Sequence, residues 1–369
     1  MQGGTQMTGF TKWHKATPVA AAILLLAGPA SAQDPVTWRM THAFAETSTF
    51  YQLFALPFAE RVAQLTDGQV VIQPYPAGVI APSFEAYDAV LDGAADAVQS
   101  SAVNIVNRDP ANALFSTFPG GMGPEALWQW MWYGGGRELL AEHRRETMDL
   151  HALPCGMGAT ELFAQSHKPL KTLADFQGVK FRTVGSFADV LTAIGAAPTV
   201  VPGDEVYTML ERGAIDAAEW GSPSENLKAG LHETAKYIIY PGVHTNAFFQ
   251  EFAVRAELWD ALSPELQGKV TAACELSSMD TLAAFDALDR KAWAELKQGN
   301  NEIVRLDDEV VERIREEGRK WIYARADEGD ASGNPWVRKV AESYFAFYDD
   351  WIGNTSFRAV DHRAEPSAD

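Results

Sequence analysis

Arg182 closes a stretch, residues 179–183, that reads as a short strand. Its guanidinium offers a planar fork of N–H donors that matches a carboxylate bidentately. Inside a cleft, an arginine at a strand end anchors a small organic acid. On an open surface it pairs with a nearby acidic side chain, and position alone leaves both readings open. Glu219 and Trp220 end a second strand-like stretch, residues 215–220. A carboxylate there can bind a metal, receive a ligand hydroxyl or neutralise Arg182, and oxygen donors suit calcium or sodium. Trp220 offers an apolar wall for a ligand, or belongs to the core. Glu161 follows the small-residue run Gly156-Met157-Gly158-Ala159-Thr160, which fits either a crossing between two lobes or an exposed loop.

Other chemistries leave no mark. The sequence has no Gly-x-Ser-x-Gly and no HExxH, and Gly134-Gly135-Gly136 lacks the spacing and the Lys-Ser/Thr of a phosphate loop. The cysteines are Cys155 and Cys274, open to a disulfide or to two small buried side chains. A formal charge of −19 disfavours nucleic acid and anionic lipid as partners. The N-terminus has a basic start (Lys12, His14, Lys15), an apolar run over residues 16–26 and the small-residue site Ala30-Ser31-Ala32. That order predicts a cleaved export signal over residues 1–32 and a periplasmic location. The apolar run is too short for a membrane-spanning helix.

The elements that must position these side chains follow α/β grammar. Strand patterns fall at residues 36–41, 70–75 and 97–101, with helical patterns at 51–66 and 84–91 between them. The plan repeats with strands at 179–183, 198–201 and 215–220 and helices at 187–194 and 205–211. In open α/β sheets ligands sit at the carboxyl ends of strands, where Arg182, Glu219 and Trp220 all fall. Ser263, Pro264 and Glu265 open a helical pattern that reaches Lys297 and exceeds the usual ~8–20 residues, so it leans on more than one lobe. Two further helices are expected at 307–324 and 335–351. The aromatic run Trp128, Trp130, Trp132 and Tyr133 reads as packing.

Several of these segments together resemble the periplasmic solute receptors of tripartite ATP-independent periplasmic (TRAP) transporters, from Trp38 to about Trp351. They are Phe58-Ala59-Glu60-Arg61-Val62, Tyr75-Pro76-Ala77-Gly78, Leu173-Ala174-Asp175-Phe176-Gln177-Gly178-Val179-Lys180-Phe181-Arg182, Glu205-Val206-Tyr207 and Gly213-Ala214-Ile215-Asp216-Ala217-Ala218-Glu219-Trp220. Asp216 to Trp220, Asp109-Pro110-Ala111, Phe118-Pro119-Gly120-Gly121-Met122 and Tyr133-Gly134-Gly135-Gly136 are similar to the subgroup that takes 2-oxo acids and related monocarboxylates. The resemblance implies an α/β fold of two lobes with hinge strands and a long helix spanning both. It implies lobe 1 over residues 33–153 with 248–262 returning to it, lobe 2 over 154–247, long and C-terminal helices over 263–357, and a disordered tail over 358–369. It makes Arg182 the carboxylate anchor, and Glu219, the Trp220 carbonyl and the inter-lobe residue the ligands of a bound Na⁺ or Ca²⁺.

The chain departs from the pattern at that inter-lobe residue, where Glu161 stands in place of the family's glutamine. A second carboxylate favours a divalent ion. After Ser100-Ser101 the usual aromatic wall is replaced by Ala102-Val103-Asn104, and Gly221-Ser222-Pro223-Ser224 follows Trp220. A roomier, more polar pocket is expected, with Asn104 and Phe44 among the ligand contacts. The implied function is that of a receptor, not an enzyme, delivering an organic anion to TRAP membrane permease subunits. Pairing of two copies through the C-terminal helix is also implied. The rival readings are a metal-free receptor for a more polar anion and an exported metal-dependent enzyme.

Overall fold

The computed structural model describes residues 35–355. The expected export signal and the tail beyond Phe357 lie outside them. Among the described residues the strands are β1 (Val36–His42), β2 (Val70–Tyr75), β3 (Ala97–Ser100), β4 (Leu150–Gly158), β5 (Ala164–Ser166), β6 (Lys180–Thr183), β7 (Ala197–Val200), β8 (Ala217–Ala218), β9 (Tyr237–Tyr240), β10 (Phe248–Arg255) and β11 (Glu302–Arg305). They form a five-stranded sheet in the order β2-β1-β3-β10-β4 and a six-stranded sheet in the order β11-β9-β5-β8-β6-β7. β1, β2 and β3 run parallel, and β10 lies antiparallel between β3 and β4. In the second sheet β7, β6 and β8 run parallel, while β5 is antiparallel to both β8 and β9.

This is the two-lobed α/β fold that the sequence implies. β4 runs through the expected lobe boundary at residue 153 and stays in the first sheet as far as Gly158, so the crossing to the second sheet comes after the strand. β10 brings the chain back, and β11, from the C-terminal segment, joins the second sheet beside β9.

Each sheet buries its own core. Trp38, Met40, Phe58, Val98, Leu153 and Phe252 pack in the first lobe, and Phe163, Phe176, Phe181, Leu191 and Ile239 in the second. A separate cluster of Phe50, Phe54, Phe248 and Phe285 gathers three distant segments and gives the first lobe an aromatic floor.

The long helix Pro264–Gln298 carries the expected Ser263 cap, whose hydroxyl accepts the Leu266 N–H at 3.3 Å. It packs on β4 and the helix Leu56–Leu65 of the first lobe and on the helix Pro223–Lys228 of the second. Contact with both lobes accounts for its length. Ser278 and Thr281 accept the Gly156 and Met157 N–H groups, and the Cys155–Cys274 disulfide ties the same helix to β4.

Other expectations shift at their ends. The helix read at 51–66 begins as a π-helical turn, Tyr51–Ala55, before Leu56–Leu65. The strand read at 215–220 shrinks to Ala217–Ala218, because Glu219 and Trp220 turn away from the ladder into the site. The helix read at 307–324 continues to Ser332. Trp130 and Trp132 are buried in packing, whereas Tyr133 is exposed.

Inside the first lobe, Arg144 is fully buried and bonds bidentately to Glu251 on β10, at 2.7 and 2.8 Å. Removing one partner strands the other charge in the core. Arg144→Met should therefore cost about 3–5 kcal/mol in urea denaturation, and the double change Arg144→Met with Glu251→Leu should recover most of that loss.

Candidate functional site

The parallel strands β7, β6 and β8 end side by side, and their carboxyl ends build one wall of a cavity of about 810 Å³. Arg182, third residue of β6, is only 3% exposed there. Its Nε and Nη2 donate to the Val201 carbonyl beyond β7, at 3.1 and 2.8 Å. Its Nη1 donates to the Glu219 carbonyl at 3.0 Å and to Glu219 Oε1 at 3.1 Å. Four of the five N–H groups are thus engaged, and one on Nη2 is left. The fork expected to face a ligand is largely held by the protein itself, and Glu219 supplies two of its acceptors.

Trp220 follows Glu219 and walls the cavity. The Arg182 guanidinium carbon lies 5.9 Å from its ring centroid, and Phe44 and Phe50 meet its ring edge-on. Gly203 has no room for a side chain, because a Cβ there would fall within 1.7 Å of the Trp220 indole.

Glu161 lies on the first crossing between sheets. Its N–H donates to the Thr245 carbonyl on the second crossing, and Oε2 is 3.2 Å from His244 Nε2. His244 is buried, stacked on Phe187 and edge-on to Phe163. Oxygen or nitrogen atoms of Glu161, Glu219 and His244 lie within 4.8 Å of one another. Burial pushes the Glu161 carboxyl up to about 8, against the pull of Arg182. Glu219 is raised by the same cause, again opposed by Arg182. Burial lowers His244 to about 4, so its ring is neutral.

All six residues expected at the site line this one cavity: Arg182, Glu161, Glu219, Trp220, Asn104 and Phe44. Asn104 donates to the Ser100 hydroxyl at 3.3 Å, and Phe44 packs on Phe50. Sequence reasoning missed His244 and Gln250, which line it too. His244 stands in a loop with no periodicity, and Gln250 lies inside an apolar strand, so neither leaves a local signal.

The model of the bacterial extracellular solute-binding protein family 7 matches residues 40–327. The chain belongs to that family. It is a TRAP solute receptor and not an enzyme, of a kind that works in the periplasm with membrane permease subunits. It is 29% identical over 313 residues to a monocarboxylate 2-oxoacid-binding periplasmic protein of Nostoc sp., covering 85% of this chain and 84% of that one. Among solved structures, a TRAP receptor of Pseudoalteromonas atlantica with bound sodium and pyruvate aligns with a TM-score of 0.81 at 26% identity, over 88% of this chain and 97% of that one. One from Bordetella bronchiseptica, a mixed-occupancy dimer with copurified calcium and picolinate, also gives 0.81, at 27% identity over 87% and 94% of the two chains.

The family 7 site carries a measurable pH signature. Glu161 holds its proton up to about pH 8 when folded, against 4.5 ordinarily, so the folded chain binds the extra proton between these values and stability falls as pH rises through that window. His244, lowered from 6.5 to about 4, acts in the opposite sense between those values. Above pH 6.5 Glu161 acts alone of the two. In the chelated protein, unfolding free energy should drop between pH 6.5 and 8 by up to about 1.4 kcal/mol per pH unit, and Glu161→Gln should flatten that drop.

Proposed function

We propose that this receptor captures a small 2-oxo or 2-hydroxy monocarboxylate between its lobes and presents it to its TRAP permease. The observation that carries the reading is the Arg182–Glu219 pair, buried in the cavity wall where three parallel strands end. Arg182 keeps one free N–H on Nη2, and Nη1 becomes available when the Glu219 carboxylate turns away. The two then offer a fork to the ligand carboxylate. Closure of the lobes removes water from that pair and strengthens it.

A cation gives Glu219 a reason to turn. Glu161, Glu219 and His244 bring three potential ligand atoms close together, and burial pushes both carboxyls up despite the pull of Arg182. That donor set fits a cation. Glu161, Glu219 and the Trp220 carbonyl would hold Na⁺ or Ca²⁺, which offsets the charge of the acid, and the paired carboxylates favour the divalent ion. The relatives with sodium and pyruvate or with calcium and picolinate support a cation accompanying the acid. Phe44, Trp220 and Asn104 would contact the body of the ligand.

A metal-free receptor is the second reading, favoured by a Glu161 that keeps its proton at neutral pH and can donate it to a ligand oxygen. Pairing of two copies through residues 335–351 would use the outer face of the helix Trp336–Asn354, near the exposed Ile352, since Trp336, Val340, Tyr344 and Phe345 are buried within the chain.

Calorimetry with pyruvate tests the anchor. Arg182→Lys keeps the charge and loses the fork, so binding should weaken by about 1.5–3 kcal/mol. Equal affinity in parent and variant removes Arg182 from the reading. Equal affinity with and without EDTA removes the cation and leaves the second reading standing.

A further inference from the structure

The first sheet supplies the cavity that Arg182 lines with a polar group that makes no well-formed hydrogen bond within the protein. Gln250, on β10, is fully buried and lines the cavity, yet neither its amide nitrogen nor its amide oxygen has a hydrogen-bond partner. A buried, unpaired primary amide is costly and rare in a native fold. The local backbone explains how it is held. Between Phe249 and Glu251 the pairing with β4 shifts register, and Gly156 opposite takes φ +130°, so Gln250 stands at an interruption of the ladder. Such irregularities re-aim side chains. Phe248, two residues earlier, lines the same cavity, as the alternation of a strand requires.

Two neighbouring groups share the condition. The Thr117 hydroxyl is buried at the cavity wall without a partner. His42, at the end of β1, accepts the Phe44 N–H on Nδ1 at 3.1 Å, so its neutral ring carries the proton on Nε2. The His42 ring interacts with the Gln250 amide, but the contact falls short of a well-formed hydrogen bond and leaves its Nε2 and both amide atoms open. The cationic side chains lining the cavity are Arg182 and Lys228, and the Lys228 ammonium is bonded to Thr49 at 3.0 Å. A neutral amide and a hydroxyl suit an uncharged oxygen rather than a second carboxylate.

We propose that Gln250 and Thr117 form a second polar subsite distinct from Arg182, and that the physiological ligand is a bifunctional acid bearing a hydroxyl or keto oxygen beyond the 2-position. A three-carbon acid held at Arg182 would leave much of the 810 Å³ cavity and this amide unused. The inference rests on the reading that Arg182 holds a carboxylate.

The probes are 2-oxobutanoate, 2-oxopentanoate and 2-oxohexanoate, each with and without a terminal hydroxyl, measured by calorimetry on the full mature chain. At one chain length or more, the parent should bind the hydroxylated acid about tenfold tighter than its plain counterpart, near the low end for leaving a buried polar group unsatisfied. Gln250→Met should abolish that preference, leave the plain acid bound as well or better, and melt no lower than the parent. Thr117→Val, a smaller change, should reduce the preference independently. No preference in the parent at any length, or a preference that survives both substitutions, overturns the subsite while leaving the carboxylate anchor intact. Equal weakening of both probes with a lower melting temperature in Gln250→Met makes the residue structural and also overturns it. Failure of every plain acid to bind the parent removes the anchor itself, and the subsite with it.

Discussion

A guanidinium taken out of water must find acceptors, and that single demand organises the second lobe. Arg182 is too buried to be hydrated, so carbonyls and carboxylates have to converge on it. Val201 and Glu219 supply them because β7 and β8 flank β6 in parallel and end at the same level. An antiparallel neighbour would bring the start of a strand there instead, with a different set of backbone groups. The parallel end of this sheet, β8-β6-β7, is thus the geometric condition for the site. The antiparallel β5 and β9 serve the other need, returning the chain across the molecule.

Those returns place the remaining polar groups. Glu161 lies on the outward crossing after β4 and His244 on the inward crossing before β10, and the Glu161 N–H to Thr245 carbonyl bond ties the two. The contact is close enough that a Cβ on Gly242 would sit 2.0 Å from the Glu161 carbonyl oxygen. Any rotation of one lobe on the other passes through these two segments, the long helix and the helix Asp308–Ser332, whose Val310 and Ile314 pack in the second lobe and Ile322 and Ala326 in the first. Glu161 and His244 therefore sit on segments that such a rotation would bend, while Arg182 and Glu219 ride on the second sheet.

The sequence made one half of this visible and left the other half obscure, for definite reasons. β6 and the helices around it announce themselves because alternation and caps are local, and Arg182 could be placed at a strand end on that ground alone. Ser263 and Pro264 likewise fixed the start of the long helix. Glu219 and Trp220 were located, but their strand was drawn too long, since tertiary contact with Arg182 and Phe50 overrides the apolar run. β4 and β9 are strands whose near-continuous apolar character carries no period, and β5, Ala164-Gln165-Ser166, is too short to show one. β10 is legible only as a return to the first lobe. His244 and Gln250 acquire meaning only from what folding brings near them, which no spacing along the chain encodes.

Charge balance connects the proposed ligand to the fold. A closed cavity tolerates little net charge, because the desolvation penalty rises steeply as water leaves. Arg182 cancels Glu219, and Glu161 stays neutral by keeping its proton, so this cluster of three is already balanced without a ligand. An organic anion alone would upset that balance by one negative charge. Adding a divalent cation and ionising Glu161 restores it, with Arg182 and the metal ion facing two glutamates and one carboxylate. A monovalent ion restores it only if Glu161 keeps its proton. Replacing an inter-lobe glutamine by Glu161 thus does more than add a donor. On the proposed reading it would couple the choice of ion to a proton, and make capture of the acid depend on both.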